Sequence, residues 1–129
     1  MSPGTARAWT SYRRPISSAS FWSGSANAAL LTITKGVADA VAKHKIIVNA
    51  VNPGPIRTDR WDGIMERIGR GLGKSGPEYE KEFIRDIPLG RIGQPEEIAD
   101  LVVFLASERA AFLTGTSVTA DGGMTRSMA

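Results

Sequence analysis

Ile46-Ile47-Val48-Asn49-Ala50-Val51-Asn52-Pro53-Gly54-Pro55-Ile56-Arg57-Thr58 is the stretch on which the fold turns. Its first six residues carry no charge and are largely β-branched, the pattern of a short strand, Ile46–Val51, covered on both faces. Asn52-Pro53-Gly54-Pro55 then ends the run, because proline lacks the N–H that a ladder needs and cannot begin a regular helix here. A buried strand closing in a Pro/Gly turn predicts an α/β protein with a parallel sheet.

Upstream, the chain turns apolar and helical from Ser25, and Ala26, Leu30, Ile33, Val37 and Val41 cover more than one face. Such a helix is expected to be buried on both sides, with Ala28, Ala29 and Gly36 allowing close packing. Lys43-His44-Lys45 closes it, with positive charge at the favourable C-terminal end. Downstream, Ile56 to Gly93 is polar and glycine-dotted, with short helices expected near Trp61–Ile68 and Glu78–Ile84. An excursion of that length after a strand reads as a substrate lid. Gln94–Ser107 is the clearest helix: Pro95 suits its first position, Glu96 and Glu97 offset its dipole, and Ile98, Leu101, Val102 and Leu105 form its apolar stripe. Thr116–Ala120 reads as a second strand, ended by Asp121-Gly122-Gly123.

The 129 residues, 42% of them hydrophobic and 22% charged, suit one globular domain and no more. No apolar run approaches the roughly 18 residues of a membrane span. Without cysteine there is no disulfide framework or thiolate metal site, and His44 alone cannot build a histidine-rich one, so no metal is expected. The net charge of +3 comes from the start of the chain, since no acidic residue precedes Asp39. The acids interleaved with Arg67, Arg70 and Lys74 make a mixed solvated face, so no nucleic-acid partner is expected. Pro3, Gly4 and Pro15 oppose an amphipathic targeting leader, and a cytoplasmic location is expected.

Three motifs carry a resemblance. Residues Ile47–Thr58 resemble the VNAVxPGxIxT segment of the short-chain dehydrogenase/reductase family. Pro88–Ala99 (PLGRIGQPEEIA) resembles its PLGRxGxPEEIA segment, and Thr114–Gly123 is similar to its TGxxxxVDGG ending. The order and spacing match over about Ser11 to Met124. The resemblance implies the C-terminal part of a Rossmann-type doubly wound parallel sheet: long helix, strand, lid insertion, helix, strand. Residues 1–20 read as an irregular segment and 21–129 as a partial NAD(P)-binding domain.

The family's glycine turn after a first strand, which seats the dinucleotide pyrophosphate, has no counterpart here. Its Tyr-x-x-x-Lys pair aligns with Ser23 and Asn27, and its upstream serine with Thr10 or Ser11. An aliphatic hydroxyl is too weak an acid for the tyrosine's role, and asparagine brings no charge to help it. Ser23 also reads as a helix N-terminal cap and Asn27 as polar lining or a ribose contact. Tyr79, in the excursion, is the alternative acid if a lid delivers it. By resemblance, Pro53, Gly54, Pro55, Ile56 and Thr58 hold the nicotinamide carboxamide of NAD or NADP, through backbone groups and the Thr58 hydroxyl. Gly122-Gly123 reads as a packing feature near a subunit contact.

The implied activity is hydride transfer to or from a small carbonyl or alcohol, with the chain truncated and inactive alone. The alternative is a non-enzymatic remnant or subunit-interaction module that pairs through its long helix. Self-association through the helix over residues 25–43, as a homo-oligomer, is expected in either case.

Overall fold

A computed structural model of the chain describes residues 18–125, and side chains from Ser25 onward. The elements are α1 (Ser18–Val41), a 3-10 turn (Ala42–His44), β1 (Ala50–Pro53), α2 (Trp61–Gly71), α3 (Gly76–Ile84), α4 (Pro95–Leu105), a 3-10 turn (Glu108–Ala110) and β2 (Ser117–Ala120). β1 and β2 pair in parallel, with Ala50 opposite Ser117 and Pro53 opposite Ala120. Parallel neighbours need a crossover connection, and here α2, α3 and α4 supply it.

The second strand lies within its predicted span. The first begins later than Ile46–Val51 suggests: the regular ladder starts where the Ala50 N–H meets the Thr116 carbonyl at 2.9 Å, and before it the Gly115 N–H donates to the Val48 carbonyl at 2.7 Å without continuing that ladder. There the Asn49 side chain adds two bonds of its own: its Nδ2 donates to the Leu113 carbonyl at 2.9 Å, and its Oδ1 accepts from the Thr116 N–H at 3.3 Å. At the other end the strand runs two residues into the predicted break, through Asn52 and Pro53, and the Gly54 N–H after it donates to the Ala120 carbonyl at 3.0 Å. Pro53 is tolerated there as the terminal strand residue.

Helix α1 occupies Ser18–Val41 of the described residues, so Ser18–Ser20 are helical rather than irregular. It ends near the predicted charges, through the 3-10 turn and Lys45 in the left-handed region at φ 61. Burial on both sides is not found. Among the described residues of α1 only Ala38 is buried, while Leu30 and Ile33 are 58% and 57% exposed. Ala38 and Lys35 lie against Gly115, and a two-stranded sheet offers no second layer to cover the rest.

The main core lies instead inside the stretch that reads as a polar lid. Trp61, Met65, Tyr79, Ile87 and Ile92 are buried together, with Ile64, Ile68, Phe83, Ile84 and Met124 packed around them. Trp61, Ile64, Met65 and Ile68 recur at i, i+3, i+4 and i+7, one face of α2 turned onto α3. Ser75 caps α3: its Oγ accepts from the Glu78 N–H at 3.4 Å, and Glu78 Oε2 accepts from the Ser75 N–H at 2.9 Å. The excursion closes on itself where Ile56 and Gly93 form a parallel bridge. In α4, Leu105 is buried and Ile98 and Leu101 half-buried, but Val102 is exposed. Among the described residues no helix is long and apolar enough to cross a membrane.

Candidate functional site

The turn after β1 is best read through its backbone groups, each of which needs a partner if buried. The Gly54 N–H donates to Ala120, the Pro55 carbonyl accepts from the Gly93 N–H at 3.0 Å, and the Arg57 N–H donates to the Gly93 carbonyl at 2.9 Å. The Thr58 carbonyl accepts the Trp61 N–H at 2.8 Å, at the start of α2. Along an extended segment successive residues direct their backbone groups to opposite edges. With Pro55 and Arg57 bonded to Gly93, the N–H and carbonyl of Ile56 face away from it and make no backbone hydrogen bond among the described residues. Ile56 therefore presents one donor and one acceptor side by side beyond the strand's carboxyl end, where ligands of open α/β sheets bind.

Beside the turn lies a cavity of about 200 Å³ lined by Pro55, Ile56, Leu89, Arg91, Glu97 and Asp121, among others. Its polar rim is occupied internally. Arg91 Nη2 and Nη1 donate to the two Glu97 oxygens at 2.6 and 2.7 Å. That pair, with the Gln94 N–H, lowers the Glu97 carboxyl to about 2, and the same bond raises the Arg91 guanidinium. Asp121 accepts from the Thr125 N–H at 2.7 Å and the Gly123 N–H at 2.9 Å, and it too is held below its ordinary value, by Thr125 above all. Gly122 and Gly123 pack on Ile87 and Pro88. The hydrogen-bonding capacity left open is thus in the turn itself.

Pro53, Gly54, Pro55, Ile56 and Thr58 come together as one continuous turn, Thr58 with its side chain exposed. Asn27 is exposed on α1, and no hydrogen bond joins it to the turn. Ser23 lies inside α1, a full turn past Ser18, so it is not the helix cap. Ser11 lies outside the described residues. Tyr79 is buried in the hairpin core, its ring 6.3 Å from that of Phe83, so it is a packing residue there rather than an acid carried over the turn. The residue the sequence reading passed over is Arg57. Its guanidinium pairs with Glu80 of α3 and, at 3.4 Å, with Asp62 of α2. Its place inside the PGPIRT motif was the one available signal, because the separations from Asp62 and Glu80 mean nothing before the hairpin is folded.

The family described as Enoyl-(Acyl carrier protein) reductase matches residues 8–125. The NADPH-dependent reductase BacG of Bacillus subtilis is 40% identical over 102 residues, 79% of this chain and 39% of that protein. The 3-oxoacyl-(acyl-carrier-protein) reductase FabG of Aquifex aeolicus is 39% identical over 97 residues, 75% of this chain and 35% of its own. Among solved structures, a short chain dehydrogenase family protein from Francisella tularensis superposes with a TM-score of 0.76 at 36% identity, over 90% of this chain and 46% of that one. L-sorbose reductase from Gluconobacter frateurii, complexed with NADPH and L-sorbose, gives 0.71 at 35% identity, over 78% of this chain and 39% of that one. The chain thus spans less than half the length of these relatives. With its strand–turn, PLGR and TGxxxxVDGG motifs set in a parallel α/β arrangement that superposes on these structures, the chain belongs to the short-chain dehydrogenase/reductase family.

Proposed function

We propose that this chain carries the nicotinamide side of an NAD(P)-dependent oxidoreductase acting on a small carbonyl or alcohol, in the cytoplasm, and that it does not turn over alone. The observation that carries the reading is the N–H and carbonyl of Ile56, which make no backbone hydrogen bond among the described residues, at the strand's carboxyl end, with the Thr58 hydroxyl two residues on. A primary carboxamide is at once donor and acceptor, so one backbone N–H and one backbone carbonyl match it. The nicotinamide, when bound, supplies or takes the hydride. The chain's own part is to orient that ring against the turn and to keep the hairpin packed beside it. Similarity to NADPH-dependent reductases supports the cofactor class.

Inactivity alone follows from the chemistry of Ser23 and Asn27. Neither provides an acid or a fixed positive charge at the positions where the family has Tyr and Lys. A second reading, a subunit-interaction module, is favoured by the exposed Leu30, Ile33 and Val37 of α1, and the two are compatible. The test is hydrogen-exchange mass spectrometry of the full chain with millimolar NADPH, alongside a ketone-reduction assay. Slower exchange confined to residues 54–58, an affinity no tighter than about 1 mM and no turnover are expected. Unchanged exchange in that segment would remove the cofactor reading, and steady turnover would remove the inactivity.

A further inference from the structure

Arg57 is tied at both ends. Its N–H is bound to the Gly93 carbonyl, and its guanidinium spans Glu80 on α3 and Asp62 on α2. The Glu80 side chain is 19% exposed, so this pair is drawn partly out of water, unlike the pair of Lys35 with Asp39, both 62% exposed. Residue 56 therefore lies between two pinned neighbours, Pro55 through its carbonyl and Arg57 through backbone and side chain. The α2–α3 hairpin has its own core, and its base is the Ile56–Gly93 bridge.

We infer that Arg57 is a positioning residue for the Ile56 backbone pair: by clasping Glu80 and Asp62 it sets the orientation of the Ile56 N–H and carbonyl and couples them to the seat of the hairpin. This rests on the nicotinamide-side reading for its ligand, but not for its mechanics. A planar fork suits the task, since the guanidinium reaches two carboxylates on different helices at once, which a single ammonium does with less directional control.

The experiment uses the full chain as wild type, Arg57→Gln, Arg57→Lys and the charge swap Arg57→Glu with Glu80→Arg. Two quantities are read: hydrogen exchange of residues 54–58 without ligand, and protection of the same segment by NADPH. Arg57→Gln is expected to speed ligand-free exchange there about two- to fivefold and to weaken NADPH by a similar factor, the range of a partly exposed pair. Exchange across β2 should stay unchanged, Arg57→Lys should recover part of the effect, and the swap should recover at least half. Exchange at 54–58 and NADPH protection both equal to wild type in Arg57→Gln would overturn the inference. So would a change spread evenly over the whole chain, which marks a general loss of stability. If wild type itself shows no NADPH protection, the cofactor reading falls, while the ligand-free exchange still decides the role of Arg57.

Discussion

Ile56 and Gly93 face each other in a parallel bridge, although the whole α2–α3 hairpin separates them in the chain. A Cβ on Gly93 would lie 2.7 Å from Ile56 Cδ1, the far end of a flexible side chain, whereas one on Gly54 would lie 2.5 Å from both Cα and Cβ of Asp121. The turn is thus held by one tolerant contact and one backbone contact that cannot give way.

Gly54→Ala should accordingly destabilise the chain by about 1–3 kcal/mol, the range for overpacking, and Gly93→Ala by clearly less. Gly63, on α2 with nothing within 4 Å of its would-be Cβ, should gain about 0.5–1 kcal/mol as alanine. Urea midpoints of the three variants check the order, and a Gly54→Ala midpoint at or above wild type would contradict it.

Met65→Ala, in the buried cluster of the hairpin, should cost about 2–5 kcal/mol. Val103→Ala, at a side chain 68% exposed, should cost little. Trp61 has an indole N–H buried without a partner among the described residues, so Trp61→Phe loses area but also removes an unsatisfied donor, and should cost less than Met65→Ala. Chemical denaturation followed by far-UV circular dichroism ranks the three.

The Glu97 carboxyl, ionised down to about 2 by Arg91 and the Gln94 N–H, stabilises the fold at any pH above its unfolded value near 4.5. That contribution is lost as pH falls from there through 2, because the unfolded chain then binds a proton that the folded chain refuses. Asp121 and Glu78, both lowered, act in the same direction. Glu97→Gln should flatten the dependence of the melting temperature on pH between about 4.5 and 2 without abolishing it. A profile parallel to wild type would show that the pair contributes nothing.

Leu30, Ile33 and Val37 lie at i, i+3 and i+7 on α1 and are 58%, 57% and 43% exposed, an apolar stripe of the kind that seeks a partner. The chain should self-associate or melt without a cooperative transition, and Leu30→Glu with Val37→Glu should shift it toward smaller species in sedimentation. A sharp monomeric boundary with cooperative melting in the wild type would refute this.

What the sequence determined by itself were the features written in local chemistry. The Pro53-Gly54-Pro55 break, Pro95 with Glu97 at the start of α4, the strand Ser117–Ala120 and the family motifs all rest on residues close together in the chain, where proline geometry, helix caps and β-branching act directly. The tertiary structure decided the rest. β1 runs over Ala50–Pro53 because β2 is where its partner groups lie. The glycine-dotted excursion holds the main core because α2 and α3 bury one face each, a match between two helices that neither one's composition reveals. Which groups of the turn stay open was also settled only in three dimensions: Gly93 takes the backbone partners on either side of Ile56, and Glu80 and Asp62 take the side chain of Arg57. These are pairings across long separations, and they exist only once the hairpin has closed.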